Sequence, residues 1–562
     1  MPKIPANIKF ILILLLLGFV FLMAGNGLLS LTNPDEVFYS QTAREMQQQH
    51  SWMTPYLFGA PQFEKPVMTF WLLRLSFDVA GATPFAARFF PALFGIVGVI
   101  ALYYLGWLGF RDGRKAFLSA VVLMSCGLYV GLSRTVFTDL IFTVFILLSL
   151  LAFWWGYAVE QRRQAGWVLF FVFSALAVLT KGPLGLIIPL SVVLLFLVLR
   201  REARLIAGGG FPLGLALFCL VALPWYIFMF KTYGNAFVHE FFYNDHWRRL
   251  VEAEHPAADT WYYYPLSTVG SMFPWSLFLI AAFGGFVKTL RRQAPPFFWF
   301  LSSWVVVVFI VFQVAHSKLT SYVFPYFPAL ALMTGYFLEE AGATCFLKEM
   351  RPGARGPRAL YLLTGVFCLA FPLGLIVASS RFPQYVADRT PVVVFAGILV
   401  VYLAVYMAAS ARRRFSWSFW MTAAFLPLLL VFALSMSPHF ESYVSSRDAG
   451  RYLTEKADPD APVLCSKFFA RGIRFYTDRQ IAVIDINGDG YFSPHPVEYL
   501  NTIEKLRDYL KRRLETYAVL RKDYVKGLGR LIGDDYRYDV LYVAGDEHIV
   551  RIYPKGQGLG KI

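Results

Sequence analysis

Charged residues in this chain concentrate at the ends of long apolar runs, and the first of them form the acidic pair Asp35-Glu36. This pair follows an apolar run from about Phe10 to Leu31, which can cross ~30 Å of hydrocarbon at about 1.5 Å per helical residue. Other charged residues in the same kind of position are Glu64, Lys65, Asp139, Lys181, the stretch 239–249 and His316-Ser317-Lys318. Charges gathered at helix ends favour an enzyme that acts on a lipid-borne substrate.

The composition indicates a polytopic membrane protein. Of the 562 residues, 57% are hydrophobic and only 16% are charged, and apolar runs of membrane-spanning length recur along the chain. A soluble domain could not bury that much apolar surface. The net charge of +16 at pH 7 could suggest nucleic acid. Most of the basic residues, however, fall in short loops between apolar runs, so we expect a lipid bilayer and no nucleic acid as the partner.

The apolar runs predict about thirteen transmembrane helices. Lys3 and Lys9 precede the first run, which places the N-terminus in the cytoplasm by the positive-inside rule. The later basic loops then all fall on the cytoplasmic side, and an odd number of spans puts the C-terminal region outside. The predicted spans are 10–31, 84–109, 116–133, 138–159, 166–180, 184–200, 208–230, 266–287, 297–314, 321–340, 359–380, 391–410 and 417–436.

The remaining segments predict the domain organisation. Residues 1–436 form a transmembrane domain with outer loops at 33–83 and 231–265, and residues 437–562 form a small extracytoplasmic α/β domain. In the first loop we expect Asp35 to cap a surface helix that runs to Met46 and lays one apolar face on the membrane. In the C-terminal domain the pattern predicts strands at 463–464, 481–484, 540–543 and 550–552, and helices at 446–456 and 498–514.

Six short motifs resemble, in order, those of a known family. The chain resembles the bacterial lipid A aminoarabinose transferases and their protein O-mannosyltransferase relatives. The shared motifs begin at Asn33 (Asn-Pro-Asp-Glu-Val-Phe-Tyr), Phe63 (Phe-Glu-Lys-Pro), Ala87 (Ala-Arg-Phe-Phe-Pro), Ser133 (Ser-Arg-Thr-Val-Phe-Thr-Asp), Thr180 (Thr-Lys-Gly-Pro) and Ser317 (Ser-Lys-Leu-Thr-Ser-Tyr). Val67 departs from the pattern, since many relatives have a second proline there. The segment that begins at Ala470 more loosely resembles the outer domain of the aminoarabinose branch.

The resemblance implies a polytopic α-helical GT-C glycosyltransferase of the bacterial inner membrane, with its C-terminal domain in the periplasm. The donor would be a sugar on undecaprenyl phosphate, and the acceptor lipid A or a related glycolipid. Protein O-mannosylation is the alternative within the enzyme class. The counterpart of Asp35 is the family's key catalytic residue, and we group Glu36 and Asp139 with it. The same motifs supply the predicted substrate-binding residues Tyr39, Glu64, Arg134 and Tyr322.

The expected chemistry assigns roles to the cations. Departure of a polyprenyl phosphate develops negative charge, so a cation near the bridging oxygen lowers the barrier. The candidates are Lys65, Arg88, Lys318 and, more weakly, Lys181. A hydroxyl acceptor also needs a base, for which Asp35 is the best placed carboxylate. A phosphate acceptor needs orientation rather than deprotonation, and Asp35 would then position the incoming group or the sugar.

Each candidate has a structural alternative. Asp35 could only cap a helix, and Glu64 with Lys65 could form a surface ion pair worth under ~1 kcal/mol. Asp139 could complement a helix dipole, and Arg134 could extend its charge to the membrane surface. Glu64, Asp139 and His246 could hold a divalent metal, although no ligand spacing within one element supports that cofactor.

A transporter of lipids or sugars is the alternative from another class. It would explain the helices and the aromatic outer loop. Transport requires polar groups at mid-membrane depth or broken helices in paired positions, whereas here the polar residues lie at helix ends. The pattern therefore favours the enzyme.

Overall fold

Long apolar helices make up most of the chain in the computed structural model, which describes residues 7–207, 210–254, 256–291, 294–344, 355–386, 388–458, 460–486 and 497–555. The chain divides into two units. The first consists of Met1–Gly25, Lys65–Thr69 and Arg88–Ala433, and the second of Asn26–Glu64, Phe70–Ala87 and Leu434–Ile562. The second unit therefore combines parts of the predicted first outer loop with the C-terminal region. The predicted domain boundary after residue 436 stays a prediction.

Eight helices among the described residues are long and apolar enough to cross a membrane. They are Pro84–Phe110, Thr138–Ala158, Glu160–Lys181, Phe211–Tyr233, Pro296–Gln313, Gly356–Arg381, Thr390–Ala411 and Phe415–Ser435. Two bent helix pairs bring the number to ten if each pair is one span. These pairs are Gly113–Met124 with Gly127–Ser133, bent by 66°, and Tyr263–Ser271 with Ser276–Leu290, bent by 118°.

The multi-pass helical fold is confirmed, with eight to ten candidate spans in the described part of the chain rather than about thirteen. Three predicted spans correspond to helices shorter than 18 residues, namely Ile8–Met23, Leu184–Leu199 and Phe327–Glu340. The first of these ends eight residues before the predicted end at Leu31, and the crossing of the membrane by all three stays a prediction. Lys3, Arg292 and most of the basic loop 348–358, on which the predicted orientation partly depends, lie outside the described residues.

The region predicted as the second outer loop is largely helical. It contains Asn235–Val238, a ten-residue π-helix at His239–Arg248, and the short turns Arg249–Val251 and Pro256–Ala258. π-Helical turns are rare and frequently occur at functional sites. The other short 3-10 segments are Glu160–Arg162, Ala203–Ala207, Phe324–Tyr326 and Pro383–Tyr385.

The helices of the first unit approach each other most closely where glycines face one another. A Cβ atom added to Gly166 would lie 2.7 Å from the Cα atom of Gly156, so neither position has room for a side chain. Phe153 stacks on Phe300, and Trp154 packs against the same ring at a tilt. Small residues that let backbones approach are the usual basis of helix packing in membranes.

The second unit is built on a six-stranded mixed sheet and a small hairpin. The hairpin pairs β1 (Tyr56–Leu57) with β2 (Ala60–Pro61). The sheet has the order β5-β4-β3-β6-β8-β7, in which β5, β4, β3 and β6 are parallel and the last two strands are antiparallel. The strands are β3 (Val463–Ser466), β4 (Ile481–Ile484), β5 (Glu498–Leu500), β6 (Thr516–Arg521), β7 (Tyr536–Ala544) and β8 (Glu547–Pro554).

Helices cover both faces of this sheet. Alternate strand residues point to opposite faces, so Val463 and Cys465 join the core under one face and Leu464 joins the core under the other. Helices Arg447–Lys456 and Ala470–Thr477 pack on the first face, and Ile503–Lys511 and Lys522–Ile532 on the second. The predicted α/β class is therefore confirmed, as are the strands 463–464, 481–484, 540–543 and 550–552. The predicted helix 498–514 is wrong at its start, because Glu498–Leu500 pairs with β4 as an edge strand.

Helix Asp35–Gln48 of the second unit differs from its prediction. Asp35 does not cap it, since the N-cap residue is Pro34 and Asp35 is the first helical residue. The helix does not lie on a surface either. Its predicted membrane face, including Val37 and Met46, and its polar Glu45 are all buried by protein. Helix Ala470–Thr477 provides part of that cover, because Arg474 pairs with Glu45 at 3.3 Å.

Candidate functional site

Lys65 forms a largely buried ion pair with Asp245 in the first unit. The Lys65 Nζ atom lies 2.9 and 2.8 Å from the two carboxylate oxygens of Asp245, and the side chains are 14% and 8% exposed. The π-helix His239–Arg248 carries Asp245, and Pro66 directly after Lys65 is buried. Lys65 therefore pairs with a carboxylate of a distant segment, and most of its side chain is shielded from solvent.

Arg249 is the second cation on Asp245. Its guanidinium lies 3.3 Å from the Asp245 carboxylate and donates a hydrogen bond of 3.1 Å to the Tyr322 hydroxyl. Burial alone would raise the pKa of Asp245, but the charges of Lys65 and Arg249 outweigh it and lower the pKa below its usual value. The carboxylate is therefore ionised and holds two cations together.

Lys181 and Asp139 form a second, largely buried ion pair beside Tyr322. The Lys181 Nζ lies 2.6 Å from Asp139 Oδ1 and 4.9 Å from the centre of the Tyr322 ring. Asp139 lies in the first turn of Thr138–Ala158, where it also complements the helix dipole. Tyr322 thus contacts Arg249 through its hydroxyl and Lys181 through its ring. We call Lys65, Lys181, Asp139, Asp245, Arg249 and Tyr322 the cation cluster.

Gly182 provides room for His246 next to this cluster. Gly182 ends the helix with a φ of +87°, and a Cβ atom there would lie 2.6 Å from His246 Nε2. The Nδ1 atom of His246 is hydrogen-bonded to the Phe241 carbonyl at 2.7 Å, and burial lowers the pKa of the ring below its usual value. Gly182 and Pro183 thus form the turn between the helices that correspond to the predicted spans 166–180 and 184–200.

No metal site is assembled in the part of the chain that the structure describes. No group of three or more His, Cys, Asp or Glu side chains there could hold a metal ion. Of the predicted ligands, Asp139 is paired with Lys181 and His246 with a backbone carbonyl. The backbone N–H of Glu64 donates to Gln62. We therefore assign no step to a metal.

Lys318 is buried against Asp259 at the end of the second outer segment. Only 3% of the Lys318 side chain is exposed, and its ammonium donates to Asp259, which His316 also contacts at 2.7 Å. Hydrogen bonds from Lys318 and His316 lower the pKa of Asp259. The N–H groups of His316 and Ser317 donate to the carbonyls of Leu250 and Arg249, which lie in the short turn Arg249–Val251 after the π-helix. The Ser317 motif is thereby tied to Arg249.

Arg88 and Arg134 are buried cations near each other in the first unit. Arg134 donates to the carbonyl oxygens of Phe21 and Ala24 at 3.1 and 2.7 Å. These carbonyls end the N-terminal helix, where a cation is favourable. The contacts give Arg134 a structural role beside its predicted role in substrate binding, which stays a prediction.

The acidic pair lies in the second unit. Asp35 is exposed in the first turn of its helix, whereas Glu36 is 1% exposed and accepts hydrogen bonds from the Thr32 N–H and hydroxyl at 3.0 and 2.9 Å. Tyr39, one turn further, is buried against Phe70. Glu36 thus fixes the start of the helix, and Asp35 is the member of the pair that solvent can reach.

A buried carboxyl group supports the chain just before the acidic pair. Asn33 Nδ2 donates to Ser446 Oγ at 2.7 Å and to Glu547 Oε1 at 3.4 Å, all within the second unit. Burial raises the pKa of Glu547 to about 8. Gly472 packs so closely that a Cβ atom there would lie 2.1 Å from Asn33 Oδ1.

The sequence analysis included Asp245 and Arg249 only as part of the charged stretch 239–249, with no role for either, and it missed Glu547. The spacing of Asp245 and Arg249, four residues apart and of opposite charge, is a signal for a helical pair and could have singled them out. Glu547 carries no such signal, because it reaches Asn33 only through the folding of the sheet.

Comparisons with known proteins agree with this fold and these motifs. Residues 10–238 match the family described as dolichyl-phosphate-mannose-protein mannosyltransferase. The undecaprenyl phosphate-alpha-4-amino-4-deoxy-L-arabinose arabinosyl transferase of Serratia proteamaculans is 29% identical over 434 residues, which are 75% of this chain and 74% of that protein. An uncharacterized protein of Aquifex aeolicus is 27% identical over 451 residues, 80% of this chain and 83% of that protein.

The crystal structure of ArnT from Cupriavidus metallidurans bound to undecaprenyl phosphate superposes with a TM-score of 0.79. It is 19% identical, and the match covers 97% of this chain and 98% of that chain. At this identity the likeness establishes the fold. That fold is the polytopic GT-C architecture followed by a C-terminal mixed sheet.

The molecule is thus a multi-pass membrane glycosyltransferase with the GT-C fold. The chain is similar to protein mannosyltransferases over residues 10–238 and to an aminoarabinose transferase over 75% of its length. The prediction of an enzyme is confirmed over the alternative of a transporter.

Proposed function

We propose that this protein transfers a sugar from a polyprenyl-phosphate donor, undecaprenyl phosphate in bacteria, to lipid A or a related glycolipid. The cation cluster is the observation that carries the proposal. It gathers Lys65, Lys181 and Arg249, whose side chains are 14%, 16% and 21% exposed, in a chain with relatives that are named for undecaprenyl phosphate donors. Such a cluster suits a phosphate group that becomes more negative as the reaction proceeds.

The carboxylates of the cluster hold its cations in place. Asp245 lies within ion-pair distance of both Lys65 and Arg249 and so fixes the two cations in advance. Preorganised donors of this kind need no rearrangement when charge develops in the transition state. In the proposed role, Lys65 contacts the donor phosphate, and Lys181, Lys318 and Arg88 add positive potential.

Asp35 is the proposed catalytic carboxylate. In the transfer, an acceptor oxygen forms a bond to the anomeric carbon of the sugar, and the bond from that carbon to the phosphate oxygen breaks. Polyprenyl phosphate leaves with the bonding electrons. With a hydroxyl acceptor, Asp35 takes the acceptor's proton. With a phosphate acceptor, it orients the incoming group or the sugar, while Glu36 holds the start of the helix.

Lipid A is the preferred acceptor because the matched relatives include aminoarabinose transferases over three quarters of the chain. The match of residues 10–238 to protein mannosyltransferases supports a protein acceptor as the second candidate. We further propose that the N-terminus is cytoplasmic and the C-terminal domain periplasmic, in the bacterial inner membrane. The basic loops predicted from the sequence support this orientation.

Mass spectrometry of a deletion strain separates the two acceptors. Lipid A and surface glycoproteins from the deletion strain are compared with those from the same strain carrying the gene on a plasmid. The proposal expects a lipid A species, heavier by one sugar, only in the complemented strain. Loss of sugar from proteins with unchanged lipid A would replace the proposed acceptor by the second candidate. No difference in either class would reject both.

A further inference from the structure

The sheet of the second unit has a cavity at the carboxyl ends of its parallel strands. The chain runs from β3 to β4 and β5 on one side of β3, and returns to β6 on the other side. In doubly wound sheets, ligands bind outside the carboxyl ends of the strands, at the point where the strand order reverses. Here that point lies between β3 and β6, and a cavity of about 360 Å³ opens there.

The lining of this cavity is cationic. Lys467 and Arg471 follow β3, Arg521 ends β6, and Asp485 after β4 is the acidic residue among the lining side chains. Lys467 Nζ lies 3.4 Å from Asp485, which also accepts a hydrogen bond from Tyr499. Three cations against one carboxylate leave an excess of positive charge for an anionic ligand.

Neighbouring residues fix the positions of Arg471 and Arg521. The guanidinium of Arg471 lies 4.6 Å above the centre of the Phe38 ring, a cation–π contact that orients it. The backbone N–H of Arg521 donates to Ser466 Oγ at 3.1 Å, which joins the ends of β6 and β3. Helix Lys522–Ile532 begins directly after Arg521, and no side chain of its N-cap residue bonds to its first N–H groups. The positive end of that helix also attracts an anion, and Asp523 in its first turn offsets part of this attraction.

The cavity also contacts the residue that precedes the acidic pair. Pro34 is one of its lining residues, and Asp35 is the next residue along the chain. An anionic group bound in the cavity would therefore belong to a molecule that reaches Asp35. The reaction has two substrates, and the cation cluster of the first unit is the proposed site for the phosphate of the donor. We therefore assign the cavity to the other substrate, the acceptor.

We propose that this cavity binds a phosphate group of the acceptor glycolipid, through Arg471, Arg521 and Lys467. The inference rests on the proposed function in naming the acceptor, whereas the phosphate site itself rests on the cavity. Guanidinium groups bind phosphate through paired charge-assisted hydrogen bonds, which a lysine or an amide does not reproduce. The site would set the affinity for the acceptor and leave the affinity for the donor unchanged.

The test uses the purified full-length protein in detergent micelles and compares Arg521→Gln with Arg530→Gln. Both arginines are exposed on or next to helix Lys522–Ile532, but only Arg521 lines the cavity. The first measurement is the Kd of phosphorylated lipid A, of dephosphorylated lipid A and of inorganic phosphate. We expect Arg521→Gln to weaken binding of phosphorylated lipid A about tenfold, and the double variant with Arg471→Gln to weaken it further. Arg530→Gln should bind as the unchanged protein does.

Binding and transfer together distinguish the possible failures. In transfer assays we expect Arg521→Gln to raise KM for phosphorylated lipid A with little change in kcat, and to leave the Kd of undecaprenyl phosphate unchanged. Equal binding by both variants, with transfer intact, would overturn the cavity proposal and leave the proposed function standing. Selective loss of binding without any transfer to lipid A would support the site and reject the proposed reaction. Equal affinity for phosphorylated and dephosphorylated lipid A, with inorganic phosphate bound at Arg521, would identify a free-phosphate site and overturn the acceptor assignment.

Discussion

At the scale of single residues, Lys65 is the cation whose surroundings are best defined. We expect Lys65→Met to weaken binding of undecaprenyl phosphate by about tenfold to a hundredfold, because one charge-assisted contact to phosphate is lost. The measurement is the Kd of undecaprenyl phosphate for the purified protein. Lys231→Met, at an exposed position of the same unit, removes the same charge and should change nothing.

Removing Lys65 alone leaves Asp245 buried with one cation fewer, which could destabilise the fold. The double variant Lys65→Met with Asp245→Asn removes both charges of the pair. We expect it to unfold at nearly the normal temperature and still to bind undecaprenyl phosphate weakly. Normal binding by a folded double variant would remove Lys65 from the donor site.

The kinetics of the Asp35→Asn variant distinguish a hydroxyl acceptor from a phosphate acceptor. Asp35 is exposed, and asparagine keeps its shape and much of its hydrogen-bonding capacity, so Asp35→Asn should leave thermal stability nearly unchanged. If Asp35 is the base for a hydroxyl acceptor, kcat should fall about 10²–10⁴-fold with donor binding retained. With a phosphate acceptor we expect a loss through misorientation, and a pH profile that hardly depends on this carboxylate. Full activity in the variant would show that the acidic pair is structural.

At the scale of elements, helix Ala470–Thr477 positions the segment before Asp35. A Cβ atom at Gly472 would lie 2.1 Å from Asn33 Oδ1 and 2.6 Å from Ser446 Oγ. We expect Gly472→Ala to lower stability by about 1–3 kcal/mol through overpacking and to reduce transfer by displacing Asn33. Thermal unfolding and the transfer rate are the measurements.

Gly527→Ala is the matched control for that substitution. Gly527 lies in helix Lys522–Ile532 with no atom within 4 Å of an added Cβ. Because alanine favours a helix more than glycine does, the control should be stabilised by up to about 1 kcal/mol. Equal effects of the two substitutions would mean that the contact of Gly472 with Asn33 has no importance for the site.

The comparison of sequence and structure at this scale shows where local patterns suffice. The length and apolarity of a membrane helix are visible in the sequence. The positions of the candidate spans between Pro84 and Ser435 could therefore be predicted. The short strands β5 and β6 were missed because the sheet stabilises them through pairing with β4, β3 and β8, which a local pattern does not reveal. Helix Asp35–Gln48 was predicted on a surface for the same reason, since the element that covers Glu45 lies more than 400 residues further along the chain.

In the candidate site, too, some features are visible in the local sequence and others depend on contacts between distant segments. Motif residues such as Lys65, Asp139 and Lys181 could be singled out by type and position. Their partners depend on the folding of distant segments, as the 180 residues between Lys65 and Asp245 show. A sequence pattern gives the charged residue, and only the fold gives the countercharge that fixes it.

At the scale of the whole molecule, the buried Glu547 predicts a pH dependence of stability. Its pKa is raised by burial from 4.5 to about 8 in the folded protein, so the folded state keeps the proton that the unfolded state releases. The stability contributed by this group is complete below about pH 4.5 and is lost as pH rises through about 8. Thermal unfolding between pH 5 and 9 should show this decline in the unchanged protein and a smaller one in Glu547→Gln. Identical slopes would place the pH dependence elsewhere.

The orientation of the chain is also a property of the whole molecule. A reporter enzyme that is active only in the periplasm, fused after Ile562, should be active if the C-terminal domain is outside. A cytoplasm-specific reporter at the same position should be inactive. The reverse pair of results would overturn the proposed orientation and the periplasmic placement of both candidate phosphate sites.

The central proposal, transfer of a sugar from a polyprenyl-phosphate donor to lipid A, has one direct measurement. The purified protein in detergent is given undecaprenyl-phosphate-linked 4-amino-4-deoxy-arabinose and lipid A, and both products are followed by mass spectrometry. We predict lipid A heavier by one sugar together with an equal amount of undecaprenyl phosphate, and at least a hundredfold less of both with Asp35→Asn. Unmodified lipid A and intact donor after incubation with the folded protein, or equal yields from the variant, would contradict the account.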